Sequence, residues 1–291
     1  MDEVTNEAGR DGGVRDDRIF PETRWISLIV LVALVIAGII LYFFPFNTKE
    51  LFAWEIVPQM TALVMGAGYL YGSYFFIRLL VGRRWHWFTN GFLAITPFTW
   101  FMGAASLLHL DRFNGFPPAI WAWLGLYFLT PFVVPALWLR NRVTDPGTPE
   151  SDAVIVPKVA RLISGIGGGL LFAVALFMFF FPQGAIDIWP WQLTPFTARV
   201  VGGWVAVPGI LFLVLALDTR WSAWRILVEG YAIGLVLMLI ATVRAWGDFE
   251  QDKLAATLLF IGSLSLWLIF LVALYVSMEQ RRRHYSSRRA V

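Results

Sequence analysis

The sequence contains no cysteine and few charged residues. The absence of cysteine excludes disulfide bonds, cysteine-ligated zinc, iron–sulfur clusters and a cysteine nucleophile. Only 15% of the 291 residues are charged, whereas a soluble domain usually has about 25% because its surface must be solvated. With 58% hydrophobic residues and a mean hydropathy of +0.66, most of the chain is expected to face lipid.

The motifs of several chemistries are also missing from the sequence. His86 and His109 lie at opposite ends of one apolar stretch and His284 lies in the C-terminal tail, so a bis-histidine haem is not expected. A single axial histidine remains open. No phosphate-binding loop with its lysine occurs, and neither HExxH nor GxSxG is present. We therefore expect no iron–sulfur, bis-histidine haem or ATP site and no nucleic-acid partner, and the sequence identifies no cofactor.

Eight apolar stretches are present, each long enough to cross a hydrocarbon core of roughly 30 Å, which requires about 20 helical residues. They do not alternate as barrel strands would, so the predicted fold class is all-α, a polytopic membrane protein. The stretches run approximately over 25–44, 58–81, 87–108, 118–139, 159–181, 197–217, 224–243 and 254–276.

A shift of 137 residues aligns landmarks of the sequence with one another without a gap. The aligned pairs include Trp54 with Trp191, Pro58 with Pro195, Gly72 with Gly209, Trp87 with Trp224 and Asp111 with Asp248. Because each unit holds four spans, an even number, the two units would share one orientation. We predict tandem four-helix repeats over 25–140 and 158–277, standing side by side, with a linker at 141–157 and polar tails at 1–24 and 278–291.

The distribution of basic residues predicts the orientation. Of the 23 Lys and Arg residues, 18 fall on the side that holds both termini, so both termini are predicted to be cytoplasmic in an inner (plasma) membrane. Arg281, Arg282 and Arg283 would contact lipid headgroups there, or would act only as a topology anchor.

The chain is rich in tryptophan, with 15 residues. Most lie near predicted span ends, as in an aromatic belt at the two membrane interfaces. A pigment or quinone pocket is the less favoured alternative. The tryptophans assigned to the belt are Trp25, Trp85, Trp87, Trp121, Trp138, Trp221, Trp224 and Trp246.

Ionisable residues inside predicted spans are costly and are therefore candidate functional residues. Glu229 lies in the seventh span, four residues after Arg225 on the same helix face, so a structural Arg225–Glu229 pair is the simpler interpretation. Arg199 lies one turn inside the sixth span. The three residues form a candidate substrate-binding set confined to the second repeat.

A second candidate site lies at the outer ends of the third and seventh spans. His109 and Asp111 follow one span and Asp248 follows the other, and a histidine with carboxylates could ligate a divalent cation or relay a proton. Their spacing matches no defined metal signature, so loop salt bridges are the favoured interpretation.

Three functions remain open from the sequence. The favoured one is a non-catalytic multipass subunit or scaffold whose partners are the lipid bilayer and other membrane subunits. The first alternative is a secondary transporter or permease with a site between the repeats near Arg199 and Glu229. The second is a membrane enzyme or redox subunit acting through His109, Asp111 and Asp248.

Overall fold

The computed structural model describes residues 15–148 and 154–289, with side chains up to residue 284. Eight of its helices are long and apolar enough to cross a membrane, which confirms the predicted number of spans. The long helices are α1 (Pro21–Phe43), α3 (Gln59–Val81), α4 (Thr89–Leu108), α5 (Pro117–Asn141), α6 (Lys158–Phe180), α8 (Pro195–Leu217), α9 (Trp221–Arg244) and α10 (Leu254–Arg289); two short helices are α2 (Thr48–Leu51) and α7 (Pro182–Ile188).

Several helices begin at proline. Pro21, Pro117 and Pro195 open α1, α5 and α8, where the missing N–H is one that a helix start leaves unsatisfied in any case. The start of α8 is further stabilised by a capping box between Thr194 and Thr197. Most of the predicted tail 1–24 and the centre of the linker lie outside the described residues. Predicted to end at residue 276, the last helix continues to Arg289 and includes most of the predicted basic tail.

The two ends of the bundle are defined by contacts between loops. At one end, here called the terminal face, the segment before α1 meets the α3–α4 loop, since Trp85 N donates to Asp17 O. The segment before α6 meets the α8–α9 loop in the same way, since Trp221 N donates to Val154 O. The opposite end, here called the distal face, carries α2 and α7.

Two helices form the centre of the molecule. The most apolar windows of α3 and α8 are 56% and 67% buried, compared with 22% for α1, α6 and α10. Glycines bring backbones close together: a Cβ on Gly66 would lie 2.7 Å from Tyr42 N of α1, and one on Gly209 would lie 2.7 Å from Phe172 N of α6. Small residues permit such close approach between membrane helices.

The first four long helices (the first half, residues 15–148) and the last four (the second half, residues 154–289) interlock. Within the halves, α1 packs along α3 and α6 along α8, while α4 pairs with α5 and α9 with α10. Between the halves, α3 packs against α9 and α8 against α4. The halves therefore share one hydrophobic core, with Phe92 and Trp204 in the same cluster, instead of standing as separate bundles.

The predicted aromatic belt is only partly correct. Trp25 and Trp121 are exposed as a belt requires, at 68% and 74%. Trp85, Trp221 and Trp224 are instead almost fully buried. At the terminal face, Trp85 lies in the α3–α4 loop and Trp221 and Trp224 lie in the first turn of α9, so proximity to a span end did not distinguish a lipid-facing ring from a core ring.

Candidate functional site

A cluster of ionic and phenolic side chains lies around Glu229, two turns into α9. Its carboxylate accepts hydrogen bonds from Arg78 Nη1 at 2.6 Å, from Tyr74 Oη at 2.5 Å and from Tyr275 Oη at 2.8 Å. Arg225 Nε lies 3.2 Å from Glu229, so the predicted pair is present. We call this group the Glu229 cluster; its members are Tyr74, Arg78, Arg225, Glu229, Tyr275 and Glu279.

Three helices build the Glu229 cluster, and each supplies two members spaced by four residues. Residues at i and i+4 lie on one face of a helix. Tyr74 and Arg78 come from α3, Arg225 and Glu229 from α9, and Tyr275 and Glu279 from α10. Glu279 is held by Arg225 at 3.2 Å, by Trp221 Nε1 at 3.0 Å and by Arg282 at 2.9 Å.

Sequence reasoning missed the partners on α3 and α10. The Arg225–Glu229 pair is local and was predicted from spacing alone. Arg78 was not among the candidate residues, although Tyr74 and Arg78 lie in the predicted span 58–81 with the same i,i+4 spacing at the same predicted depth. Two such pairs at the same predicted depth on different spans are the sequence signal that could have identified the cluster.

At the distal face, Arg199 contacts His109. Arg199 Nη1 lies 2.7 Å from His109 Nε2, and its Nε donates to Phe179 O at 3.1 Å. Because a guanidinium only donates, Nε2 must accept, which places the imidazole proton on Nδ1. Burial, and then the positive charge of Arg199, lower the pKa of His109, so the ring is neutral at neutral pH.

The other two residues of the predicted distal site have separate partners. Asp111 pairs with Arg112 at 3.2 Å on the surface. Asp248 Oδ2 accepts from Met60 N at 2.7 Å, where it caps the start of α3. Among residues 15–148 and 154–289 no group of three His, Cys, Asp or Glu side chains is arranged to hold a metal. The metal or proton-relay role of His109, Asp111 and Asp248 stays a prediction.

Arg199 and Glu229 lie at different depths. Arg199 is the fifth residue of α8, counted from the distal face, and Glu229 is the ninth of α9, counted from the terminal face. At a rise of about 1.5 Å per residue, helices of this length separate the two positions by roughly 15 Å along the bundle axis. The predicted substrate-binding residues therefore belong to two separate contact groups.

Several further polar contacts connect the halves. At the distal face, Arg244 Nη1 donates to Tyr42 O at 2.7 Å, and Trp191 Nε1 donates to Thr61 Oγ1 at 2.9 Å. At the terminal face, His86 Nε2 lies 2.9 Å from Ser222 Oγ. Each contact joins a residue of the first half to one of the second.

An ion triad of Arg220, Asp145 and Asp218 connects the linker to the second half at the terminal face. Arg220 lies 2.8 Å from each of the two carboxylates. Burial alone would raise the pKa of Asp218, but hydrogen bonds from Arg220 and Asn90 outweigh it and hold that pKa below its usual value. The predicted linker is thus anchored at Asp145.

The basic residues at the end of α10 differ in their contacts. Arg282 pairs with Glu279, while Arg281 and Arg283 are exposed. The contact of these arginines with lipid headgroups stays a prediction.

A cavity lies in the first half between α1, α3, α4 and α5, closed on its inner side by α8 and α9. The cavity is open to the outside on one side. Its lining is almost entirely apolar and aromatic, with Phe75, Phe92, Phe98 and Trp204 among the lining residues. A sequence pattern does not reveal such a space, because its walls come from six helices.

Comparison with known proteins does not place the chain in a family. No family model, curated protein or solved structure matches it.

Proposed function

We propose that this chain is a non-catalytic multipass component of a membrane assembly, a subunit or scaffold, in an inner (plasma) membrane. The observation that carries the proposal is the use of the polar groups: Arg199 and the ionisable members of the Glu229 cluster bind one another, other side chains or backbone groups across helices. A catalytic or transport site needs polar groups free for a substrate, and Glu229 already has two arginines and two tyrosines around it.

The contacts between the halves further support a scaffold over a carrier. A carrier built from two repeats alternates its access by moving one repeat against the other. Here Arg78–Glu229, His109–Arg199 and Tyr42–Arg244 connect the halves at both faces. Rocking would break these contacts. They therefore do not support the alternative of a transporter with a site near Arg199 and Glu229.

A parallel duplication is part of the proposal. The shift of 137 residues carries the bounds of α1, Pro21–Phe43, onto those of α6, Lys158–Phe180. The helix pairs correspond as well, since α1–α3 matches α6–α8, α4–α5 matches α9–α10, and the crossed pair α3–α9 matches α8–α4. We infer that the terminal face is cytoplasmic, because the basic residues concentrate there.

Native mass spectrometry of the full chain, extracted gently from its own membrane at natural expression, tests the subunit role. We expect a complex of fixed stoichiometry with other membrane chains. Recovery as an isolated monomer, together with solute flux in vesicles that Glu229→Gln abolishes and Glu55→Gln leaves intact, would overturn the proposal in favour of a carrier. Glu55 is a suitable control because it is exposed.

A further inference from the structure

The cavity of the first half opens sideways between α1 and α5. These helices are joined at the terminal face by the Arg140–Glu22 ion pair and by Asn141 Nδ2, which donates to Thr23 Oγ1 at 2.7 Å. Beyond that point they make few contacts. The lining residues on both sides of this gap, which are partly exposed, are Ile26, Val30 and Leu34 of α1 and Leu126 and Val133 of α5.

The inner wall of the cavity is closed. Trp204, Leu211 and Tyr231, supplied by α8 and α9, are buried. The cavity therefore has a mouth toward the lipid-facing surface of α1 and α5 and an end against the centre of the molecule. The α1 residues of the mouth extend from the sixth to the fourteenth of the 23 residues of that helix, counted from the terminal face, so the mouth lies between that face and the middle of the bundle.

The lining of the cavity and the medium outside its mouth indicate which kind of ligand it would bind. The lining carries no charged side chain, and the medium outside α1 and α5 is hydrocarbon, which is as apolar as leucine. A hydrocarbon chain can leave the bilayer for this space without losing hydration or a hydrogen bond.

At the aligned position of the second half, a tryptophan packs into the space between the helices. Trp267, which aligns with Thr130, stacks on Phe212 with ring centroids 4.4 Å apart, and its indole would lie 2.4 Å from a Cβ on Gly167. In the first half Thr130 is too small to cross the gap, and its hydroxyl donates to Leu126 O at 2.7 Å. The aligned position is therefore filled by an aromatic ring in the second half and left open in the first.

We propose that this cavity binds one hydrocarbon chain of a membrane lipid, which enters between α1 and α5. The acyl chain of a phospholipid and the tail of an isoprenoid quinone share the required chemistry. The proposal is independent of the subunit role, since it depends only on the shape and lining of the cavity.

Photo-crosslinking in nanodiscs of phosphatidylethanolamine and phosphatidylglycerol tests the proposal on the full chain. One arm contains a phosphatidylglycerol with a diazirine on its acyl chain, and the other an isoprenoid quinone with a diazirine in its tail. Peptide mass spectrometry then locates the adducts. We expect labelling of Trp204 and Tyr231, which only a chain inside the cavity can reach, by at least one probe, and the active probe identifies the source.

Thr130→Trp should abolish labelling of Trp204 and Tyr231, because the indole fills the space as Trp267 does in the second half. Phe132→Trp adds the same indole on the lipid-facing side of α5, where Phe132 is exposed, and should leave that labelling intact. If Thr130→Trp aggregates on size exclusion, Val133→Phe, which narrows the mouth, takes its place with the same expected loss.

Two results would overturn the proposal. One is labelling confined to lipid-exposed residues with both probes in the folded wild-type chain. The other is equal labelling of Trp204 and Tyr231 in the blocked variant and in Phe132→Trp.

Discussion

The two halves differ at aligned positions in the middle of the bundle and toward the terminal face. In the first half, Phe92 and Thr130 line an apolar cavity. Glu229 and Trp267 occupy the aligned positions of the second half, where the carboxylate is bound by two arginines and the indole is stacked on Phe212. In the first half the helices thus surround an open apolar space, and in the second half they surround a filled core with ion pairs around Glu229.

The largest loss of stability is expected from removing the Trp267 side chain, which fills the space between helices in the second half. Trp267→Thr should lower the free energy of unfolding by about 3–5 kcal/mol, because it removes the ring that packs on Phe212 and Gly167. Thermal unfolding in detergent measures it. Trp121→Thr, at an exposed position on α5, is the matched control and should cause little change. Equal losses in both variants would mean that Trp267 does not distinguish the halves.

The second largest loss of stability is expected from breaking the ion pairs of Glu229 with Arg78 and Arg225, here called the ionic clamp. Glu229→Gln leaves Arg78 and Arg225 without their shared carboxylate and should cost about 3 kcal/mol of unfolding free energy. Glu55→Gln, the exposed control, should unfold with the wild-type midpoint. A Glu229→Gln midpoint that also matches the wild type would show that the clamp does not stabilise the interlocked halves.

A smaller loss of stability, which depends on pH, is expected from replacing Asp218. Asp218→Asn removes charge-assisted hydrogen bonds from Arg220, worth about 1.5–3 kcal/mol at neutral pH. Because the folded pKa of Asp218 is lowered, its contribution is complete above the unfolded value of about 3.9 and is lost as the pH falls through the lower folded pKa. The stability difference between wild type and variant should therefore shrink below about pH 4. Unfolding midpoints at several pH values check this, and a constant difference would contradict it.

The smallest effect is expected where the halves are alike. Gly125 and Gly262 are aligned, and a Cβ on either would meet no atom within 4 Å. Alanine at either position should therefore leave stability unchanged or raise it by less than about 1 kcal/mol, the helix-propensity gain. Gly66→Ala is the contrast, because its Cβ would meet the backbone of α1 and should lower the melting temperature.

The all-helical fold, the number of apolar spans and the Arg225–Glu229 pair could be predicted from the sequence. They follow from hydrophobic run length and from i,i+4 spacing, which are local properties of a chain. The buried tryptophans, the helices that contribute to the Glu229 cluster and the position of the cavity could not be predicted in this way. Those features depend on side chains from helices distant in sequence, as Arg78 and Glu229 illustrate, and no local pattern specifies the distance between them.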